Sequence, residues 1–179
     1  MITFLAGDAT LPVGPPEQPK IVAHVCNDIG AWGRGFVLSV SKRWSNPELA
    51  YRRWFQNNDE HENRVEFKLG NVQFVPVVLS SQTLTPLVLV ANMIAQVGIF
   101  PRDGRQPIRY DALRECLTSV YDLAQHEHAS VHMPRIGCGL AGGTWSEVEE
   151  IVVDVAGGIE TYVYDFVSED ERYVPASLR

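Results

Sequence analysis

Basic residues are scarce in this sequence. Fifteen lysines and arginines stand against 22 aspartates and glutamates, so the 179 residues carry a formal charge of −7 and a pI near 5.2. Proteins that bind nucleic-acid backbones without sequence preference present a broad basic surface, because phosphate binding displaces counterions. The composition therefore argues against such a binder. It leaves open a small anionic ligand that is held at one local site.

Cysteines are also few, and no apolar run is long. Cys26, Cys116 and Cys138 have no zinc-ligand spacing, and an odd number of cysteines does not indicate a disulfide framework. We therefore expect no metal site and a reducing, cytoplasmic compartment. The first residues lack the basic and apolar segments of an export signal. Polar residues interrupt the longest apolar run, at 86–100, whereas a bilayer span needs about 20 apolar residues. We therefore expect no membrane association.

The chain is long enough for one domain with a sizeable core, since 45% of its residues are hydrophobic and 21% are charged. We expect the domain to span residues 1–167, a polar tail to span 168–179, and the protein to be a monomer. Strands are predicted at 2–6, 20–26, 72–79, 87–94, 131–133 and 159–166, and helices at 36–44, from Pro47, at 108–125 and from Thr144. This alternation predicts an α/β domain with helices on both faces of the sheet.

The final helix has a specific start signal. Thr144 and Glu147 have the spacing of a capping box, in which each side chain bonds a backbone N–H of the other residue.

In layered α/β domains, ligands bind beyond the carboxyl ends of the strands. The loops that follow strands are therefore where a functional site is expected.

Two of these loops are rich in glycine. The first loop, at 27–35, contains Gly30, Gly33 and Gly35 and leads into a helix. Glycines let backbone amides approach a ligand closely, and a helix N-terminus attracts anions. On its own, the first loop is equally consistent with a flexible connector.

The second loop, at 134–143, also lies between a strand and a helix. Gly137, Gly139 and Gly142 form a literal G-x-G-x-x-G. A dinucleotide fold normally carries this fingerprint in its first βαβ unit, whereas here it comes near the end of the domain. Two glycine loops in one small domain instead indicate a phosphate or diphosphate held between backbone amides.

Three polar side chains near strand ends each allow two interpretations. Asp8 could accept a hydrogen bond from an exocyclic amine such as that of adenine, or it could form an Asx-turn. His24 is either a buried, satisfied imidazole or a group that handles protons beside the ligand. Asn92 is either a core amide or a group directed into the crevice. The sequence pattern does not decide between these alternatives.

Three segments of the sequence form a recognisable set. The first reads Gly7-Asp8-Ala9-Thr10, the second reads His24-Val25-Cys26-Asn27 with Gly30, Trp32, Gly33 and Gly35, and the third reads Met133-Pro134-Arg135-Ile136-Gly137-Cys138-Gly139-Leu140. Together they resemble the macrodomain family of ADP-ribose-binding proteins, over residues 2–166. The third segment is similar to the branch that contains the terminal ADP-ribose protein glycohydrolase, and the second is similar to the yeast phosphatase that acts on ADP-ribose 1''-phosphate.

The resemblance implies a fold, a ligand and a set of binding residues. The fold is a three-layer α/β/α sandwich with a mixed sheet of about six strands. ADP-ribose lies across the strand ends and no cofactor is needed. The residues implied in binding are Asp8, Ala9, Asn27, Gly30, Trp32, Gly33, Arg34, Gly35, Asn92, Met93, Ile94, Pro134, Arg135, Ile136, Gly137, Cys138, Gly139, Leu140, Ala141 and Gly142.

The sequence departs from that branch at two positions that matter for chemistry. For the human glycohydrolase of that branch, the resemblance implies a lysine near the end of the strand that contains Asn92 and an aspartate directly after Gly-Cys-Gly-Leu in the second loop. At the matching positions this chain has Gln96 and Ala141. Glutamine cannot form a Schiff base, and alanine cannot act as an acid or base. Two routes remain. A water held by the bound diphosphate attacks the anomeric carbon, or the catalytic candidates His24, Asn27 and Asp28 position or activate that water.

Three functional hypotheses follow from the resemblance. The first is a hydrolase that removes ADP-ribose from modified protein, at an ester to an acidic side chain, or from nucleic-acid ends. The second, motivated by the pattern from His24 to Trp32, is a phosphatase for ADP-ribose 1''-phosphate. The third, motivated by the missing lysine and aspartate, is a non-catalytic ADP-ribose reader.

Overall fold

The computed structural model describes residues 2–56, 65–79 and 86–166. The tail predicted at 168–179 lies outside the described residues. Six strands and four helices are described. The strands are β1 (Ile2–Ala6), β2 (Lys20–Asn27), β3 (Val72–Leu79), β4 (Pro86–Gln96), β5 (Ser130–Pro134) and β6 (Thr161–Asp165), and the helices are α1 (Phe36–Arg43), α2 (Asn46–Phe55), α3 (Tyr110–Glu127) and α4 (Trp145–Val155).

The strands form one mixed sheet in the order β1-β6-β5-β2-β4-β3. Each neighbouring pair is parallel except β3 and β4, which are antiparallel. The carboxyl ends of β1, β2, β4, β5 and β6 therefore meet at one edge of the sheet. Both glycine loops leave from this edge, after the adjacent strands β2 and β5.

Two hydrophobic cores cover the two faces of the sheet. One contains residues of α3 and α4, and the other contains residues of α1 and α2. Side chains of β2 alternate between them, because successive residues of a strand point to opposite faces: Ile21 and Ala23 lie in the first core, and Val22 and Cys26 in the second. The three-layer α/β/α sandwich with six strands is thus confirmed.

The predicted elements match the described ones closely. The prediction at 108–125 starts two residues early, because Ile108 instead forms an antiparallel bridge with Gln96. The final helix starts at Trp145, directly after the predicted cap, but the capping box is not formed. Tyr110 replaces it. The Tyr110 hydroxyl accepts from the Thr144 N–H at 3.0 Å and donates to Glu147 at 2.7 Å.

Candidate functional site

A cavity of about 720 Å³ opens at the carboxyl ends of the central strands β2, β4 and β5. Small-molecule sites commonly measure roughly 300–1,000 Å³. Both glycine loops line this cavity. The predicted site residues that line it are His24, Asn27, Trp32, Gly33, Arg34, Gly35, Pro134, Arg135, Ile136, Gly137, Gly139, Leu140 and Ala141.

Asn27 shapes the first loop. A shift in register between Cys26 and Asn27 separates the end of β2 from the regular ladder. The Asn27 side-chain oxygen accepts from the N–H groups of Ile29 (3.1 Å) and Ala31 (2.9 Å), and its amide donates to the Ala31 carbonyl (2.6 Å). The hydroxyl of Tyr51, on α2, donates to the Asn27 carbonyl at 2.6 Å. The amide oxygen of this catalytic candidate is therefore occupied by the loop itself.

The glycines of the first loop serve different purposes. Gly30 has a φ of +71°, and a Cβ there would lie 2.4 Å from the Phe55 ring, so Gly30 lets the loop pack against α2. Gly30 does not line the cavity. Gly33 faces open space. Gly35 has a φ of +80°, and a Cβ there would lie 3.5 Å from the side chain of Leu140 in the second loop. The two loops therefore approach each other at the mouth of the cavity.

The second loop is a tight turn held by its own backbone. The N–H of Gly142 donates to the Gly139 carbonyl (3.0 Å), and the N–H of Gly143 donates to the Gly137 carbonyl (2.8 Å). Within the described part of the chain, the N–H groups of Gly137, Gly139 and Leu140 have no acceptor. The same holds for the N–H groups of Gly33 and Gly35 across the cavity. Free amides on both sides form an arrangement suited to an anion.

The charge of the cavity wall is opposite in sign to that of the protein. Arg34, Arg52 and Arg135 are among the described lining residues, which include no aspartate or glutamate. Glu48 pairs with Arg52, and Asp165 pairs with Arg135. Arg34 has no ion-pair partner among the residues that the structure describes. The local field thus favours an anion even though the chain as a whole carries −7.

Arg135 is held in place at the β1 side of the cavity by a carboxylate and two aromatic rings. Its guanidinium bonds both carboxylate oxygens of Asp165, at 2.5 and 3.0 Å. It also lies over the rings of Phe4 and Trp145, at 5.2 and 5.1 Å from their centroids. A planar guanidinium held by a bidentate carboxylate and two rings loses little further freedom when a ligand binds.

His24 is a buried neutral imidazole at the floor of the cavity. Its Nε2 atom bonds the Asn92 side-chain oxygen at 2.7 Å, and its ring contacts the edge of Trp32, with 5.3 Å between centroids. Burial lowers the pKa of His24 to about 4, and the hydrogen bond that His24 makes to the Asn92 oxygen opposes this shift. Burial also raises the pKa of the neighbouring Cys26 thiol, so Cys26 is not an activated nucleophile.

Asn92, Met93 and Ile94 lie in the interior and do not line the cavity. The Asn92 amide donates to the Pro47 carbonyl and to the Gln73 side-chain oxygen, each at 3.1 Å. With His24 on its oxygen, Asn92 is the core amide of the two alternatives. These three residues, which the resemblance implies in binding, thus lie behind the cavity wall in the interior of the sheet.

Five other predicted residues lie outside the cavity wall. Asp8 accepts from the Thr10 N–H at 2.9 Å, which is the Asx-turn alternative, and Ala9 is buried beside it. The catalytic candidate Asp28 accepts from the Gly98 N–H at 2.7 Å, so it ties the first loop to the loop after β4. Cys138 and Gly142 belong to the second loop but do not line the cavity.

Both positions of the branch's lysine and aspartate do lie in the cavity wall. Gln96 is buried and donates to the Gly98 carbonyl at 2.8 Å, and Ala141 is buried in the second loop. Lining residues on the described chain therefore include no carboxylate and no lysine. The histidine among them is neutral near pH 7. Few groups remain that could transfer a proton.

Sequence reasoning missed part of the cavity wall. Arg52 projects from α2, and Phe36 and Val37 from the first turn of α1. Ile99, Phe100 and Pro101 come from the loop after β4, and Phe100 is 67% exposed. The sequence signal that could have identified this loop is a phenylalanine four residues after the end of β4, in a segment otherwise rich in glycine, proline and charged residues.

No cluster of three or more metal-ligating side chains is found in the described ranges. Among the helices described, none is long and apolar enough to cross a bilayer.

Comparison with known proteins places this fold and site in one family. The chain is 47% identical to a macrodomain protein from Streptomyces coelicolor, with a TM-score of 0.73 over 92% of this chain and 99% of that one. No family model matches the chain. Because the identity is high and extends over nearly the whole of both chains, this chain belongs to the macrodomain family.

Two curated relatives are more distant. Mouse chromodomain-helicase-DNA-binding protein 1-like is 30% identical over 183 residues, covering 98% of this chain and 19% of that protein. The chain thus spans about a fifth of the length of that relative. An ADP-ribose 1''-phosphate phosphatase from Candida albicans is 22% identical over 155 residues, covering 83% of this chain and 90% of the phosphatase.

Proposed function

We propose that this macrodomain binds ADP-ribose between its two glycine loops and hydrolyses the bond that links ADP-ribose to an acidic side chain or a nucleic-acid end. The observation that carries the proposal is the pairing of free amides on facing loops with a cavity wall whose described residues include arginines and no carboxylate. A diphosphate supplies the negative charges that such a wall favours. The acidic remainder of the surface gives little hold to bare nucleic acid.

The chemistry of the wall supports a substrate-assisted reaction. A water held by the bound diphosphate and a loop amide attacks the anomeric carbon of the distal ribose. The new carbon–oxygen bond forms as the bond to the leaving group breaks, and the proton of the water passes to a diphosphate oxygen and then to solvent. The second route, through His24, Asn27 or Asp28, has less support, because those side chains are buried or already bonded to the loops.

The lack of a proton donor also favours one kind of linkage. A carboxylate leaves as a stable anion, since the pKa of a glutamate side chain is about 4.3. An alkoxide from serine needs an acid to protonate it. The described cavity wall offers no such acid, so ester-linked ADP-ribose on acidic side chains is the expected protein substrate, and phosphate-linked ADP-ribose the expected nucleic-acid substrate.

The proposal is tested with two substrate proteins, one carrying glutamate-linked and one carrying serine-linked ADP-ribose. We expect release of free ADP-ribose from the first and little from the second. No release from the glutamate-linked protein, under conditions where a known hydrolase works, would refute the hydrolase.

A second candidate function is the phosphatase for ADP-ribose 1''-phosphate. The Candida relative with that name matches this chain over most of both lengths. Measuring inorganic phosphate released from the 1''-phosphate compound separates the two reactions.

The scarcity of proton-transfer groups in the described cavity wall favours a third candidate, the non-catalytic ADP-ribose reader. Tight ADP-ribose binding in calorimetry, with no turnover of any substrate, would establish it.

A further inference from the structure

A closed set of hydrogen bonds connects the first loop to α1 and α2 behind the cavity. The Trp32 indole N–H donates to the Ser41 hydroxyl at 2.8 Å, and that hydroxyl donates to one Glu48 carboxylate oxygen at 2.9 Å. The Arg52 guanidinium donates to the other Glu48 oxygen, at 3.0 Å from Nε and 2.9 Å from a terminal nitrogen. We call Ser41, Glu48 and Arg52 the support network.

The support network also bonds the backbone of the first loop, through Arg52. Arg52 donates to the carbonyl oxygens of Gly30 and Trp32, each at 3.4 Å. The support network therefore holds Trp32 at two points, the indole nitrogen through Ser41 and the carbonyl oxygen through Arg52. Glu48 joins the two points because one of its oxygens serves each branch.

The bond to the Trp32 carbonyl has a consequence for Gly33. In a trans peptide the C=O and N–H of one unit point in opposite directions. Drawing the Trp32 oxygen toward Arg52 turns the Gly33 N–H away from α2. Gly33 lines the cavity, and its N–H has no acceptor within the described ranges.

We propose that Ser41, Glu48 and Arg52 are positioning residues that keep the Gly33 N–H directed into the cavity as a donor to the ligand's phosphate. This inference rests on the proposed binding of ADP-ribose. Ser41 and Glu48 act from outside the cavity, since neither lines it. Their effect reaches the ligand through Arg52 and the Trp32–Gly33 peptide.

The same network is a weak contributor to folding. The side chains of Arg52 and Glu48 are 46% and 30% exposed, and ion pairs of this kind stabilise proteins little. Loss of Glu48 should therefore change ligand binding much more than thermal stability. That difference separates a positioning role from a structural one.

The test compares Glu48→Ala and Ser41→Ala with the wild-type chain, using ADP-ribose and adenosine as probes. Asp154→Ala is the matched control, because it also removes a carboxylate from an exposed ion pair, with Arg114 on α3. Dissociation constants come from calorimetry for ADP-ribose and from NMR titration for adenosine. The amide resonance of Gly33 in labelled protein reports a change in the surroundings of that N–H.

We expect Glu48→Ala to weaken ADP-ribose binding about tenfold and to change adenosine binding less than twofold, because adenosine has no phosphate. Ser41→Ala should have a smaller effect in the same direction, and Asp154→Ala none. The Gly33 resonance should shift in Glu48→Ala before ligand is added.

Two results overturn the inference alone: Glu48→Ala binds ADP-ribose as tightly as the wild type or more tightly, or it loses ADP-ribose and adenosine to the same extent. Failure of the wild-type chain to bind ADP-ribose overturns the proposed function, and this inference with it.

Discussion

The Nε2 atom of His24 lies 2.7 Å from the side-chain oxygen of Asn92, and the two residues are register partners on β2 and β4. Both side chains are buried. An amide oxygen can only accept a hydrogen bond, so Nε2 carries the proton in the neutral ring. This pair connects the floor of the cavity to the interior of the sheet.

Asn92→Leu should destabilise the fold, because the His24 N–H loses its acceptor in a buried site. We expect the free energy of unfolding to fall by about 2–4 kcal/mol, the range for leaving a buried polar group unpaired and removing its hydrogen bonds. Urea denaturation measures it. Asn46→Ala, on the exposed surface of α2, is the control and should cost about 0.5 kcal/mol or less. Equal losses in the two variants would contradict a structural role for Asn92.

Stability should fall as the pH is lowered from 7 to 5. Burial lowers the pKa of His24 to about 4 and of His132 to about 3. Both values lie below the 6.5 of an unfolded histidine, so in this window the unfolded chain takes up protons that the folded chain does not. Each histidine should reduce stability by up to about 1.4 kcal/mol per pH unit.

The measurement is the free energy of unfolding from urea titrations at several pH values between 7 and 5. His132→Gln should lower the slope against pH by about half, whatever its effect on absolute stability. A slope that does not change in this variant would show that His132 takes up its proton in the folded state as well.

Gly30→Ala should disrupt the first loop, whereas Gly33→Ala should not unfold it. A Cβ at Gly30 meets the Phe55 ring at 2.4 Å with a φ of +71°, while a Cβ at Gly33 meets nothing within 4 Å. We expect losses of about 3 kcal/mol and under about 1 kcal/mol, respectively. Thermal unfolding compares the two. Adding Phe55→Ala to Gly30→Ala should relieve the clash; a double variant no more stable than Gly30→Ala would locate the cost in backbone strain alone.

Borohydride should not trap a covalent complex between the wild-type chain and ADP-ribosylated protein. The sequence contains three lysines, Lys20, Lys42 and Lys68, and none lines the cavity. A Schiff base needs an amine beside the opened ribose. Gln96→Lys with Ala141→Asp places both groups in the wall and should allow trapping, detected by mass spectrometry. Trapping in the wild type at any lysine would refute the substrate-assisted route.

Local signals in the sequence determined the fold class and the positions of the two glycine loops. The β-rich apolar runs at 20–26 and 72–79 are a property of neighbouring residues, so they can be recognised without knowledge of the tertiary structure. The glycines of 27–35 and 134–143 also act locally, through the φ values they permit. The resemblance added the order of the loops around one ligand.

The tertiary structure decided which side chains reach the cavity. Asn92 and Asp28 were both placed near the ligand from the sequence, yet one bonds His24 inside the sheet and the other bonds Gly98. Arg52 and Phe100 entered the cavity wall without a motif to mark them. Their positions depend on strand register, helix packing and hydrogen-bond partners tens of residues away. Those contacts join residues that are far apart in the sequence, so a pattern of neighbouring residues does not predict them.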